Sequence, residues 1–347
     1  MRRIAFLDRD GTLIYEPSDT KQIDSVNKLK ILPRVITGLM QLQSAGYELV
    51  MVTNQDGIGT PSFPQKSFDE PQQKLLKILQ QKGIKFSEIF VCPHRASKNC
   101  GCRKPKNGLI ESLLKKGAID LEKSFMLGDR VTDMKFAQNA GVMGWQMETN
   151  GEFPRLGLRD RKTNETDIFT MVNVDGSGRF NIQTGLKFFD HMLEQFSKHS
   201  AIDVFLRAKG DLQVDEHHTV EDAAITLGEA IFQALGKRQG IRRYGFLLPM
   251  DDSLVEVAID LGGRPYLVFN ADFKREKVGD LPTELVEHFF QSLSYTLRMN
   301  IHIKVRYGKN DHHKIEALFK AFAKAMRMAC EGDARLSAIL PTTKGLL

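Results

Sequence analysis

Two short stretches constrain this chain more than anything else in it: Asp215 to Asp222 and Asp311 to Glu316 each set two adjacent histidines ahead of a glutamate. In the first, His217 and His218 precede Glu221; in the second, His312 and His313 precede Glu316. On a helix, adjacent residues point about 100° apart, whereas residues three or four apart share a face. One histidine of each pair can therefore join its glutamate on one ion while the other faces a second ion. At near-equal distance ahead of each copy lies an acid-His-apolar-apolar element, Asp190 to Leu193 for the first and Glu287 to Phe290 for the second. The doubling marks an internal repeat, and its ligands sort into two sets of three imidazoles and one carboxylate. Nitrogen and oxygen donors without thiolate suit Mn(II), Fe(II) or Zn(II), and four protein ligands leave positions open on an octahedral ion for substrate. A lone histidine is more often a satisfied packing residue; duplication of the whole constellation argues against that reading here.

At 347 residues the chain has room for about two domains of roughly 150 residues. Its 27% charged residues leave a net charge of +6 with no long basic run, which fits small anionic substrates and does not support nucleic-acid binding. Residues 1–30 hold no apolar core of signal-peptide length, and no stretch approaches the roughly 18 apolar residues of a membrane span. A cytoplasmic protein with no membrane partner is the expectation.

In the first half, apolar runs at 4–8, 48–54, 88–92 and 124–129 alternate with helical patterns at 35–45, 72–82 and 109–116. That alternation predicts an α/β, Rossmann-like parallel sheet covered on both faces, with ligands bound beyond the carboxyl ends of its strands. Asp8, Arg9, Asp10, Gly11 and Thr12 stand at the first such end, Thr53 and Asn54 at the second, and Asp129 to Asp133 at the fourth, with Arg103 and Lys104 between. Two aspartates one residue apart can place one carboxylate on phosphorus and the other on the leaving oxygen. Asp129 can join Asp8 and the Asp10 carbonyl around Mg2+, an ion of oxygen ligands. Lys104 would neutralise the transferring group, Thr12, Thr53 and Asn54 would contact its oxygens, and Arg9 and Arg103 would set substrate fit. Over residues 1 to about 150 this pattern resembles the haloacid dehalogenase superfamily of phosphatases. The resemblance implies Asp8 as the nucleophile that forms an aspartyl-phosphate and Asp10 as general acid and then base.

The third strand runs into Cys92, His94, Cys100 and Cys102, three thiols and one imidazole in a single loop. Such a set argues for a closed tetrahedral Zn2+ site rather than disulfides. The loop is similar to one that marks the small-capped branch containing histidinol-phosphate and heptose-bisphosphate phosphatases, which implies a structural zinc beside Lys104.

From 149 to about 166 the sequence turns polar and reads as a linker, dividing the chain into 1–165 and 166–347. The second part predicts an α+β domain built from two repeats. Its first repeat reads as a hairpin of strands 168–174 and 179–184 around 175–178, a helix over 188–198, a strand at 202–208 and a helix over 217–235. The second reads as strands 254–259 and 266–271, a helix over 284–297, a strand at 301–307 and a helix over 312–330. On that last helix Ile315, Phe319, Phe322 and Met326 form a core stripe, leaving His312, His313, Glu316 and Lys320 for chemistry.

This part resembles imidazoleglycerol-phosphate dehydratases over 165–347. The resemblance rests on Phe189 to Leu193, Asp215 to Asp222, Gly262 to Tyr266, Val286 to Phe290, Gly308 to Lys320 and Pro341 to Gly345. It implies two Mn2+ ions, one held by His191, His218, Glu221 and His312, the other by His217, His288, His313 and Glu316. It also implies Arg243, Arg264, Lys320 and Lys344 on the substrate phosphate, Glu165 near the reacting carbon, and a large symmetric homo-oligomer. Thr342 and Thr343 stand where the family's tail usually has serines, which keeps a hydroxyl at each position. Together the two resemblances imply a bifunctional enzyme of histidine biosynthesis acting on small phosphorylated imidazole substrates. Two other readings compete: a first domain acting on another phosphomonoester such as a heptose bisphosphate, and a metal-binding assembly module without turnover.

Overall fold

The computed structural model describes residues 1–115, 119–245, 248–333 and 339–342. The chain divides into two compact units, Met1–Pro154 and Arg155–Leu347.

The first unit contains β1 (Arg3–Leu7), α1 (Val35–Ser44), β2 (Tyr47–Asn54), α2 (Gln65–Gln81), β3 (Phe86–Cys92), α3 (Glu111–Lys115), β4 (Phe125–Gly128), α4 (Val131–Ala140) and β5 (Met143–Gln146). The strands lie in the order β3-β2-β1-β4-β5, all parallel. Strand order reverses direction at β1, whose neighbours β2 and β4 come later in the chain, and a crevice forms at such a switch point. Strands buried on both faces carry near-continuous apolar runs, as in Ile4 to Leu7 and Leu49 to Val52, all fully buried. Two elements differ from the sequence pattern. Helix α2 begins before the expected 72 and runs through a buried Pro71, which interrupts the apolar periodicity without ending the helix. Strand β5 is too short to stand out as a run.

The second unit contains β6 (Leu156–Lys162), β7 (Thr166–Asn173), β8 (Phe180–Gln183), α5 (Lys187–Ser200), β9 (Asp203–Gly210), α6 (His217–Leu235), β10 (Tyr244–Gly245) and β11 (Leu248–Met250). There follow β12 (Ser253–Asp260), β13 (Tyr266–Asn270), β14 (Lys277–Val278), β15 (Leu281–Pro282), α7 (Glu284–Leu297), β16 (Asn300–Tyr307) and α8 (Asp311–Cys330). One sheet has the order β6-β7-β9-β8, the other β10-β12-β16-β13 with β11 also on β12. In each, the third strand in the order pairs antiparallel with one neighbour and parallel with the other. The two sheets match element for element, as the doubled motif requires. The helices pair crosswise, α6 against α7 and α5 against α8, and both repeats share one core in which Phe289, Phe290, Phe319 and Phe322 interlock.

Two expectations need correction. The residues read as a linker contain β6, which pairs along its length with β7, so the division between units falls at Pro154 and Arg155. Polar outward residues on this edge strand hid its alternation. The expected hairpin does not form either: β9 lies between β7 and β8, while Asp203 accepts from the backbone N–H of Ser177 and Arg179 and ties the turn to β9. A short Gly-rich turn fixes a reversal, but it does not decide which strand fills the space between.

Candidate active and metal sites

In the first unit, β1 ends at the crevice and delivers Asp8 and Asp10. Lys104 Nζ lies 2.7 Å from Asp8 Oδ1 and 2.7 Å from Asp133 Oδ1, and also donates to the Val52 carbonyl. Burial pushes the Lys104 ammonium toward neutrality, but Asp8 and Asp133 outweigh it and raise its pKa. Asp133, at the start of α4, is raised to about 6 by burial and then by the Asp8 charge. It was given no role from sequence; the spacing of four from Asp129 is the signal that could have found it. Asn54 clamps the Lys104 backbone, accepting its N–H and donating to its carbonyl, so its amide is engaged with the loop rather than free for substrate.

Asp129 is held by Thr149, whose hydroxyl donates to Oδ2 at 2.6 Å, while its buried Oδ1 has no hydrogen-bond partner. Gly11 has φ of +76°, and a Cβ there would stand 2.6 Å from Asp129 Oδ2, so glycine is what admits this carboxylate. Asp8, Asp129 and Asp133 bring carboxylate oxygens within 4.8 Å of one another. An orphaned carboxylate oxygen in an all-oxygen set fits Mg2+. The buried Thr12 hydroxyl is likewise unpartnered, and Thr53 accepts from Gln55. A cleft of about 270 Å³ opens over these groups, lined also by Glu16, Gln22, Asp56 and Arg130. Arg103 pairs with Asp56 and donates to the His94 carbonyl, which ties the cysteine loop to the cleft. Arg9, read from sequence as setting substrate fit, does not line the cleft: its side chain is fully buried, with the guanidinium on Asp10 and Gln72.

Cys92, His94, Cys100 and Cys102 converge. Their sulfurs are 3.3 to 3.7 Å apart and His94 Nδ1 lies 3.2 Å from Cys102 Sγ. Disulfide sulfurs stand about 2.05 Å apart; these are free thiols. A tetrahedron with arms of about 2.3 Å has edges near 3.7 Å, so the donor set fits Zn2+.

In the second unit, the crosswise helix pairing gathers ligands from different repeats. His217 and Glu221 on α6 meet His288 on α7, with ligand atoms within 4.8 Å of one another. His288 Nε2 is buried, lies 3.3 Å from Glu221 Oε1 and makes no hydrogen bond, as a nitrogen awaiting a metal would. On α8, His312 Nε2 lies 3.3 Å from Glu316, and His191 Nε2 on α5 lies 4.0 Å from the same carboxylate. Nitrogen and carboxylate donors without sulfur fit Mn2+ at the first place, and the second offers the same donor types in a looser arrangement with Lys320 on Glu316.

Within one chain the grouping differs from the one implied by resemblance. Glu221 stands with His217 and His288, and Glu316 with His191 and His312. His218 and His313 turn away on their helices, each with Nδ1 against a carboxylate: Asp211 at 3.2 Å and Asp252 at 2.6 Å. The Asp211 hydrogen bond raises the His218 pKa. Backbone N–H of Lys309 and then His313 hold the Asp252 carboxyl well below the usual range. Asp211 and Asp252 were not found from sequence, because each contact depends on a loop packing beside a helix.

Lys320 pairs with Glu316 at 2.8 Å. Arg243 is committed to Asp260 and to the Pro341 carbonyl, and Arg264 and Glu165 are exposed. Thr342 is described, whereas Thr343 and Lys344 lie outside the described residues.

Residues 184–326 match the family model for imidazoleglycerol-phosphate dehydratase, and residues 3–153 that for polynucleotide kinase 3 phosphatase. A histidine biosynthesis bifunctional protein HisB from Buchnera aphidicola is 48% identical, with 100% of this chain and 99% of that protein aligned. The HisB of Stenotrophomonas maltophilia strain R551-3 is also 48% identical, over 100% of both chains. Among solved structures, the dehydratase of Pyrococcus furiosus is 36% identical over 55% of this chain and 100% of that one, with a TM-score of 0.48. A D,D-heptose 1,7-bisphosphate phosphatase from B. bronchiseptica is 28% identical over 44% of this chain and 83% of that one, with a TM-score of 0.40. With both ligand constellations folded as described and a relation that runs the length of the chain, this protein belongs to the HisB family of bifunctional histidine biosynthesis proteins.

Proposed function

We infer that the Met1–Pro154 unit hydrolyses histidinol phosphate and that the Arg155–Leu347 unit dehydrates imidazoleglycerol phosphate to imidazole-acetol phosphate. The observation that carries this reading is a similarity to bifunctional HisB proteins that spans both units.

In the first unit, Mg2+ held by Asp8, Asp129 and the Asp10 carbonyl would neutralise charge on the phosphoryl group. Asp8 attacks phosphorus, the bond from phosphorus to the histidinol oxygen breaks, and Asp10 gives its proton to that oxygen. Burial raises the Asp10 pKa, which favours the protonated form this step needs. Water then attacks the aspartyl-phosphate, Asp10 takes the water's proton, and Asp8 is released with inorganic phosphate. Lys104, balanced between Asp8 and Asp133, offsets the charge of the transferring group, with Thr12 and Thr53 at its oxygens. Cys92, His94, Cys100 and Cys102 would hold a structural Zn2+, which would brace the wall beside Arg103 and Lys104.

In the second unit, two Mn2+ ions would supply Lewis acidity at the substrate's imidazole ring. Glu165 removes the carbon-bound proton, the bond from carbon to the neighbouring hydroxyl breaks and that hydroxyl departs with the abstracted proton as water, and the resulting enol moves its own proton from oxygen to carbon to give the ketone. Lys320, Arg264 and the tail residues Thr342, Thr343 and Lys344 serve the phosphate, with Arg243 bracing the tail through the Pro341 carbonyl. Each half-site has three ligands within one chain, while His218 and His313 face outward. That geometry supports a homo-oligomer in which a second copy supplies the missing imidazole.

The test is a substrate panel on the full chain. Histidinol phosphate should exceed heptose bisphosphate by at least about tenfold in kcat/KM, a margin that a few polar contacts supply. The reverse preference would overturn the phosphatase assignment, and failure to convert imidazoleglycerol phosphate would overturn the dehydratase assignment.

A further inference from the structure

We propose that Arg9 is a positioning residue for phosphoryl transfer: held by α2, its guanidinium fixes the Asp10 carboxyl against the leaving oxygen. The proposal rests on the phosphatase reading above.

The two aspartates at the end of β1 have separate cations. Lys104 serves Asp8, and Arg9 serves Asp10, with Nη1 2.7 Å from Asp10 Oδ1. The second oxygen of Asp10 accepts from Gln55 Nε2 at 2.6 Å, so both oxygens are anchored. Arg9 is itself immobilised: Nε donates to Gln72 Oε1 at 2.8 Å, and the guanidinium lies 5.0 Å from the centre of the Phe68 ring. Phe68 and Gln72 sit one helical turn apart on the buried face of α2. The whole side chain has no exposure, and Nη2 is buried without a hydrogen-bond partner. Burying a cation with one of its nitrogens left unpaired is unfavourable for folding. Its retained contact is with Asp10, the group that moves a proton.

When Asp10 gives its proton to the departing alkoxide, the carboxylate that forms already lies between Arg9 and Gln55, and little has to reorganise. An alcohol is a poor leaving group and needs that proton as the bond from phosphorus breaks. A nitrophenolate does not. Loss of the anchor should therefore show in the first turnover of an alkyl phosphate and be nearly silent in that of an aryl phosphate.

The experiment compares Arg9→Met, Arg9→Lys and Gln72→Met in the full chain, by rapid-quench and stopped-flow first turnovers with Mg2+ present. Zinc content and far-UV circular dichroism establish which variants are folded. In Arg9→Met the histidinol phosphate first turnover should slow by about 100-fold, the lower range of general-acid effects, with p-nitrophenolate burst rates within about threefold of wild type. Arg9→Lys should recover part of the loss, and Gln72→Met should show the same selectivity in weaker form. Equal slowing with both substrates, or no slowing with either, would overturn the proposal. If Arg9→Met does not fold, the same two outcomes are read from Arg9→Lys and Gln72→Met. Failure of the folded, Mg2+-loaded wild-type protein to hydrolyse either phosphate would instead overturn the phosphatase reading itself.

Discussion

Asp8 is the proposed nucleophile of the first unit, standing at the end of β1 with Lys104 Nζ 2.7 Å from its carboxylate. Asp8→Asn should lower histidinol phosphate hydrolysis by more than about 10³-fold, since nucleophilic catalysis is removed outright. Ketone formation in the same variant should be unchanged, and parallel assays check both. A second residue prediction concerns Cys330, a buried thiol pushed up to about 12 by burial. Its folded pKa lies above the unfolded value, so the folded state binds the proton more tightly and stability falls as pH rises from about 9 toward 12. The loss approaches about 1.4 kcal/mol per pH unit in that window. Urea unfolding at pH 8 and pH 10 should show a smaller alkaline loss in Cys330→Ala than in wild type. At this scale residues that converge were legible in sequence where a motif spaced them closely, as with Cys100 and Cys102, whereas the resemblance grouped Glu221 with His218 and the fold groups it with His217 and His288. Arg9, Gln55, Asp133, Asp211 and Asp252 took their roles from burial and from neighbours distant in the chain, which spacing does not encode.

The elements of the second unit make the repeat physical. Helix α6 meets α7 and α5 meets α8, so each half-site draws on both repeats and neither can form from one alone. Phe290 sits at the centre of that pairing, fully buried against Phe269, Phe289, Phe319 and Phe322. Phe290→Ala should destabilise the unit by about 3 to 5 kcal/mol, read from denaturant unfolding. The sequence supported the helices well, because apolar stripes of period 3.6 and the histidine spacing agreed. It supported strand pairing less well. Strands β7 and β8 look like a hairpin locally, yet β9 separates them, and β6 looks like linker because its polar residues fall on a sheet edge. Pairing is set by long-range packing of buried faces, whereas local turns only restrict it. The cysteine loop is the corresponding element of the first unit. Cys100→Ser should release zinc and lower phosphatase activity through Arg103 and Lys104 while leaving ketone formation intact, as metal analysis and the two assays would show.

For the whole molecule, the two units each hold their own core and chemistry, in keeping with a relation to HisB proteins that runs from end to end. No helix among the described residues is long and apolar enough to cross a membrane. His218 and His313 point away from the half-sites that their own chain assembles, so metal and association should be linked. Sedimentation of metal-replete protein should show a large homo-oligomer that shrinks on metal removal; a monomer under replete conditions would contradict this. The doubled histidine constellation is, as proposed, a manganese-dependent dehydratase site. Its most direct test is ketone formation from imidazoleglycerol phosphate by protein stripped of metal and titrated with Mn2+, with bound metal measured alongside. Stripped protein should form no ketone, and activity should return in step with metal uptake. Tight Mn2+ uptake without ketone, or full turnover in its absence, would contradict it.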